Sequence, residues 1–391
     1  MKLLVASVGA PTSFTTWSGT PAHIIAALTK RGHEIVSTEL TTPVEPWYFD
    51  WLRRLYFRLQ RRWFLSAVEP SNLRQLGSEL DIAVKQSQPD VVLAIHGDIL
   101  AYTTFQHPAC IIHDTTFNSL VDYYPAFTRL SKRSIKAGNA MYQRALSRAD
   151  AAVFSSKWAS DSALNYYGTE ARKINTIPFG ANILVYPSAA EVDEQVKLRS
   201  NSACCKLLFI GIDWERKGGP DAVKIVNALN QKGVSARLIV VGCRPIIEPN
   251  LTRFVDIVGF ISKASPAGID RLSDLLHSCS ALLVPSLSEC YGCVYCEANA
   301  FGLPALGRDT GGIPEIIHDG ENGLLLREAE SCESFADRWS EVWINKGKYA
   351  AMSRRGHREF ISRLNYDVFA RKLEIILKSI SGGQEMESRE N

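Results

Sequence analysis

The 391-residue chain carries 44 Lys and Arg against 41 Asp and Glu, a formal net charge of +3. That balance excludes the basic footprint of a nucleic-acid binder, and the lack of any apolar run of about 18 residues excludes a conventional spanning helix. The length exceeds one typical domain and suits two, with 46% apolar and 22% charged residues in the ordinary globular range.

The nine cysteines are odd in number and scattered along the chain. They predict reduced thiols and a cytoplasmic protein. The opening MKLLVASVGAP holds a short apolar run at the lower limit of a signal peptide. It reads more naturally as a buried first strand, Lys2 to Val8, ending at Gly9. The loop from Gly9 to Gly19 is rich in Gly, Pro, Ser and Thr and lacks the spacing of a dinucleotide fingerprint. Thr20 to Arg31, with Ile24, Ile25, Ala27 and Leu28, predicts an amphipathic helix closed by Gly32. His33 to Thr38 is the next strand.

Residues 46–66, PWYFDWLRRLYFRLQRRWFLS, mix Trp47, Tyr48, Phe49, Trp51, Tyr56, Phe57, Trp63 and Phe64 with Arg53, Arg54, Arg58, Arg61 and Arg62. A helix here carries one aromatic and aliphatic face and one basic face. That composition suits an interfacial helix on anionic headgroups. It equally suits a clamp on an anionic acceptor, or a helix packed on its own domain with solvated arginines.

Pro89 to Ile95 predicts a buried strand ending at His96-Gly97-Asp98, and Ala109 to Ile112 another ending at His113-Asp114. Polar residues just beyond a strand's carboxyl end face the ligand edge of an open α/β sheet. Residues 130–147 read as a helix, Ala151 to Ser155 and Ile174 to Ile177 as strands. The first domain is therefore 1–182, and the polar, irregular stretch 183–205 is a linker.

The second domain, 206–362, starts with the strand Leu207 to Gly211, then a loop containing Asp213, Arg216, Lys217 and Gly218, then the helix Pro220 to Lys232. Strands at Arg237 to Gly242 and Val255 to Gly259 follow, then a helix from Leu272 to Cys279. The stretch ALLVPSLSECYGCVYCEANAFGLPALGRDTGGIPEIIHDGENGLLL, residues 281–326, contains two strand-loop-helix units in succession. Exposed amides at such helix starts suit an anion. Ile313-Pro314-Glu315 reads as a helix start with Pro near its first position. Glu289 and Glu297 invite a glycosidase reading, but on one helix they would lie about 12 Å apart, beyond the roughly 5–9.5 Å of such pairs. With Glu289 in the loop, the two reach different parts of a long ligand. Cys290, Cys293 and Cys296 have part of the spacing of an iron–sulfur run. No fourth cysteine is near, so three small buried residues are expected and no metal site. Helices at 331–345 and 348–362 follow, then a last helix within 363–380 and a disordered tail, 381–391.

These motifs together resemble the retaining family-4 glycosyltransferases of the GT-B fold. The resemblance rests on Pro285-Ser286, Glu289, Tyr291-Gly292, Glu297 to Gly302, Pro304, Gly311 to Glu315 and Asp319 to Gly323. It implies an α/β architecture of two Rossmann-like domains facing across a cleft, with the acceptor on the first and a nucleoside diphosphate sugar on the second. The helix in 363–380 would cross back to the first domain. The implied reaction moves a hexosyl unit to an acceptor hydroxyl with retention, without metal or other cofactor.

Residue by residue, the resemblance gives catalytic roles to His113, with Asp114 beside it, and to Glu289, which faces the donor sugar and diphosphate. It places donor contacts at Gly19, Lys217, Tyr291, Gly292 and Cys293, the ribose on Glu297, and the nucleobase on the backbone of the loop opened by Phe260. The family's diphosphate arginine has Ile212 at its position here, and Arg216 is the candidate substitute. The implied partners are the nucleotide-sugar donor and a glycan or lipid-linked acceptor, with membrane-surface contact through residues 46–66 and a place on the inner face of the membrane. An epimerase, or a non-catalytic nucleotide-sugar-binding protein, is the alternative.

Overall fold

The computed structural model describes residues 1–387, with side chains through residue 382. The chain divides into two compact units, Met1–Pro178 with Tyr366–Asn391 and Phe179–Asn365. Among the described residues no helix is long and apolar enough to cross a membrane.

The first unit runs β1 (Lys2–Val8), α1 (Thr20–Lys30), β2 (Glu34–Leu40), α2 (Tyr48–Gln60), α3 (Pro70–Ser87), β3 (Val91–Ile95), β4 (Ala109–His113), α4 (Phe117–Leu120), α5 (Lys132–Arg148), β5 (Ala151–Phe154), α6 (Lys157–Asn165) and β6 (Ile174–Thr176). Its six-stranded sheet has the order β2-β1-β3-β4-β5-β6 and every pairing is parallel, Leu3 opposite Val91 and Cys110 opposite Ala151. The central strands read as unbroken apolar runs because helices cover both faces. Leu3, Leu4, Val91, Val92, Ile111 and Ile112 are all fully buried. The reading above leaves 67–88 without an element. Here α3 turns Leu73, Leu76, Leu80 and Val84 inward, the spacing of one helix face.

The second unit runs α7 (Ala189–Ser200), β7 (Cys205–Ile210), α8 (Gly219–Gln231), β8 (Ala236–Val241), β9 (Val255–Gly259), α9 (Pro266–Ser278), β10 (Ala281–Leu283), α10 (Cys293–Ala300), β11 (Ala305–Arg308), β12 (Gly323–Leu326), α11 (Cys332–Ile344) and α12 (Lys346–Arg363). Its parallel sheet has the order β12-β11-β10-β7-β8-β9. The first strand, β7, lies in the middle, between β10 and β8. The chain builds one half outward to β9 and then returns to build the other. The order reverses between β7 and β10, which is where open α/β sheets receive ligands.

Three expectations need correction. The linker is not irregular: α7 occupies most of it, started by a reciprocal Ser188–Glu191 capping box. Its Arg199 donates to the carbonyls of Phe301 and Gly302, so a buried guanidinium caps the carboxyl end of α10. Ile313–Glu315 forms only a single 3-10 turn. The tail is helical further than expected, because α13 (Tyr366–Glu387) continues past residue 380; residues 388–391 lie outside the described residues. Helix α13 belongs to the first unit. There Asp367 pairs with Lys30 at 2.8 Å and Glu374 with Arg31, and Tyr366 stacks on His23 with ring centroids 5.3 Å apart.

Candidate functional site

The second unit concentrates charge at the reversal of its sheet order. The loop after β7 brings Arg216 and Lys217, and the loop after β10 brings Glu289. Lys217 Nζ is ion-paired to Glu289 Oε2, and Arg216 Nη1 stands 3.6 Å from the same oxygen. Ser286 Oγ lies 3.4 Å from it. The loops are also joined through their backbones: Leu287 N–H donates to Arg216 O at 2.8 Å, and Arg216 Nη1 donates to Ser288 O at 3.0 Å. Glycine permits this approach. Gly218 has φ +74, and a Cβ there would stand 2.0 Å from Pro285 O.

Ile212 is 75% exposed and supplies no charge. The guanidinium beside Glu289 comes instead from Arg216, further along the same loop. Gly292, at φ +96, opens α10 without a side-chain cap. The start of α10 therefore presents backbone amides rather than a capping side chain, next to Glu289.

Glu297 projects from α10 and is only 1% exposed. Lys263, in the loop after β9, donates to Glu297 Oε1 at 2.5 Å. Glu297 Oε2 is buried and has no hydrogen-bond partner. A buried carboxylate oxygen without a donor carries a desolvation penalty of about 1–3 kcal/mol, which a ligand hydroxyl would relieve. Phe260 opens the same loop and is 72% exposed.

Tyr291 and the cysteines are placed differently from the sequence reading. The Tyr291 side chain is buried and its hydroxyl donates to Phe179 O at 2.8 Å. Burial pushes this hydroxyl well above the usual tyrosine range. Of the three cysteines expected to be buried, only Cys296 is; Cys290 and Cys293 are half-buried. They flank Gly292 at the helix start, where side chains turn from the core toward the ligand edge. Among the described residues, no group of three or more His, Cys, Asp or Glu side chains is arranged to hold a metal ion.

The first unit has its own cluster where its sheet order reverses, between β1 and β3. Gly19 starts α1 at φ +89, and Trp17 and Ser18 before it also have positive φ, as does His96 after β3. Such backbone in non-glycine residues costs about 1–3 kcal/mol each and gathers at functional sites. Trp17 and His96 meet edge-on with centroids 4.7 Å apart, and His96 lies 4.5 Å from His113.

His113 Nδ1 is 3.0 Å from Tyr142 Oη, which donates its only proton to Thr115 O at 2.7 Å. Nδ1 must therefore carry a proton. Burial, reinforced by His96, holds the His113 pKa well below its ordinary value, so the ring is neutral and Nε2 is a bare acceptor. Asp114 Oδ1 lies 3.9 Å from Nε2.

The second unit is similar in sequence to known proteins. Residues 204–345 match the family model of glycosyl transferases group 1. The matched segment lies wholly within the second unit. It contains Arg216, Lys217, Lys263, Glu289 and Glu297. A curated relative, the D-inositol 3-phosphate glycosyltransferase of Rhodococcus jostii (strain RHA1), is 24% identical over 220 residues, 54% of this chain and 48% of the relative. The chain spans about half the length of the curated relatives it matches.

Among solved structures, sucrose-phosphate synthase from Thermosynechococcus elongatus superposes with TM-score 0.68 at 16% identity, covering 98% of this chain and 100% of that one. HepE of Anabaena, solved in complex with UDP-glucose, gives 0.64 at 16% identity, covering 97% and 100%. The fold is GT-B.

Lys263, Trp17 and Tyr142 are absent from the sequence reading. Lys263 was accessible in principle, as a charged residue in a loop at the carboxyl edge of the sheet. Tyr142 was not, because it reaches His113 from the middle of α5.

Proposed function

We propose that the protein is a retaining glycosyltransferase that moves a hexosyl unit from a nucleoside diphosphate sugar to a glycan or lipid-linked acceptor. The observation that carries this reading is the convergence of Arg216, Lys217 and Glu289 beside the start of α10, within the segment that matches the group 1 family model. HepE, whose fold this chain shares, was solved with UDP-glucose, which supports a nucleotide sugar as the donor.

In the proposed reaction the donor's anomeric carbon–oxygen bond breaks and a bond to the acceptor oxygen forms. The acceptor proton passes to the departing diphosphate. Lys217, Arg216 and the α10 amides stabilise the charge that builds on that diphosphate. Glu289 holds sugar hydroxyls against these cations, Glu297 accepts from the ribose, and the Phe260 loop backbone meets the base. His113 Nε2 and Asp114 accept from a ligand hydroxyl in the first unit.

Helix α2 supports a lipid-linked acceptor. It buries Phe49, stacks Tyr56 on Phe64, and locks Arg53 to Glu45 and Asp50. Outward it presents Trp47, Trp51, Leu59 and, just beyond its end, Trp63, among the exposed arginines 54, 58, 61 and 62. Exposed tryptophans interleaved with arginines favour contact with an anionic bilayer surface.

The test is product analysis by mass spectrometry and NMR. UDP-, GDP- and ADP-sugars are each supplied with glycan and glycolipid acceptors. The expected product is a glycoside of retained configuration. Turnover of the sugar without an acceptor to an epimer would replace this reading with an epimerase, and binding without turnover would make the protein a binding module.

A further inference from the structure

We infer that Lys263 is a positioning residue for Glu297 and sets the preference for a ribonucleotide over a 2′-deoxyribonucleotide; this rests on the nucleotide-sugar reading above. The argument starts from the unequal state of the two Glu297 oxygens. Oε1 takes the Lys263 proton at 2.5 Å, while Oε2 is buried with no donor. The carboxylate as a whole is 1% exposed, so water is a poor substitute.

Lys263 comes from outside the helix that carries Glu297. It stands in the loop after β9, the loop opened by the exposed Phe260. Its side chain is 37% exposed, so it reaches inward from the surface with its charged end on the carboxylate. A carboxylate pinned at one oxygen cannot rotate to share a single donor between both. Its free oxygen then needs a hydroxyl at one place. A vicinal diol supplies two donors, one for Oε2 and one for the remaining lone pair of Oε1. A 2′-deoxyribose supplies one, and a buried acceptor is left unpaired.

Without Lys263 the carboxylate is free to turn toward whichever hydroxyl is present, and discrimination falls. The same loop carries the proposed base contact and the pin on the ribose acceptor. Recognition of base and sugar is thereby coupled in a single short segment.

Calorimetric binding of UDP, GDP and ADP, each beside its 2′-deoxy counterpart, tests this on wild type, Lys263→Met, Lys263→Gln and Lys263→Arg. Wild type is expected to prefer the ribo form by at least about 10-fold, the worth of one well-placed hydrogen bond to a charged group. Lys263→Met and Lys263→Gln are expected to bind the ribo form more weakly and to lose most of that ratio, while Lys263→Arg keeps it. A ratio unchanged in Lys263→Met and Lys263→Gln, with wild type binding, overturns the role of Lys263 and leaves the donor site standing. Failure of wild type to bind any of the three diphosphates overturns the nucleotide reading and this inference together.

Discussion

Lys217 and Glu289 lie 72 residues apart in sequence and form one ion pair, their side chains only 14% and 11% exposed. One comes from the loop after the central strand β7, the other from the loop after its neighbour β10. The pair exists because the sheet order reverses between those strands. A partly buried pair of this kind is weak evidence of a stabilising role. In the proposed reaction it holds a cation ready for the departing diphosphate.

Lys217→Ala should therefore cost more in turnover than in stability. Loss of one charge facing a leaving diphosphate should lower kcat about 100- to 1,000-fold. The melting temperature should stay within a few degrees of wild type. Steady-state kinetics with the active donor and a thermal melt check both halves.

Gly218 is where the two loops touch. Alanine there meets Pro285 O at 2.0 Å and must also adopt φ +74. Gly218→Ala should destabilise the protein by at least about 2 kcal/mol, from strain and clash together. Urea unfolding of wild type and variant gives the difference directly.

His113 predicts a pH dependence. Its pKa is lowered in the fold, so between that value and the unfolded value of about 6.5 the unfolded chain binds more protons, and stability rises with pH. Acidification below about 6.5 should lower the melting temperature until the folded pKa is passed. His113→Asn should flatten part of that slope. His96, His33 and His277 are lowered as well, so the wild-type minus variant difference is the quantity to plot. An unchanged slope would contradict the neutral, Nδ1-protonated ring.

Helix α2 predicts salt-sensitive binding to anionic vesicles. Arg53 is engaged internally, so the charge-reversal variant should change arginines 54, 58, 61 and 62 and spare it. Each basic residue near the surface contributes about 1 kcal/mol, so the four reversals should cut sedimentation with phosphatidylserine vesicles at least 10-fold. Equal sedimentation of wild type and variant would remove the membrane contact.

Much of this was legible in the sequence, for physical reasons that differ by residue. Buried parallel strands such as Val91–Ile95 and Ala281–Leu283 announce themselves as apolar runs. Lys217, Glu289 and Glu297 stand in an ordered motif whose spacing follows from strand, loop and helix. Arg216 was only a candidate, because its reach to Glu289 depends on how its loop folds over Gly218. Helix α7 was missed although Ser188 and Glu191 spell a capping box, since its polar composition hides its buried Val192 and Val196. The pin on Glu297 was invisible, because Lys263 arrives from a neighbouring loop with no motif of its own. The buried fate of the Tyr291 hydroxyl needed the Phe179 carbonyl, far away in the chain.

The most direct measurement is a thermal-shift titration with UDP, GDP, ADP and dTDP on wild type and Glu297→Ala. Binding to the folded state raises stability by about 2.7 kcal/mol at 100 times the dissociation constant. The account predicts that at least one diphosphate shifts wild type in a concentration-dependent way and that the variant loses the shift. No shift of wild type at millimolar nucleotide, or an equal shift in the variant, would contradict it.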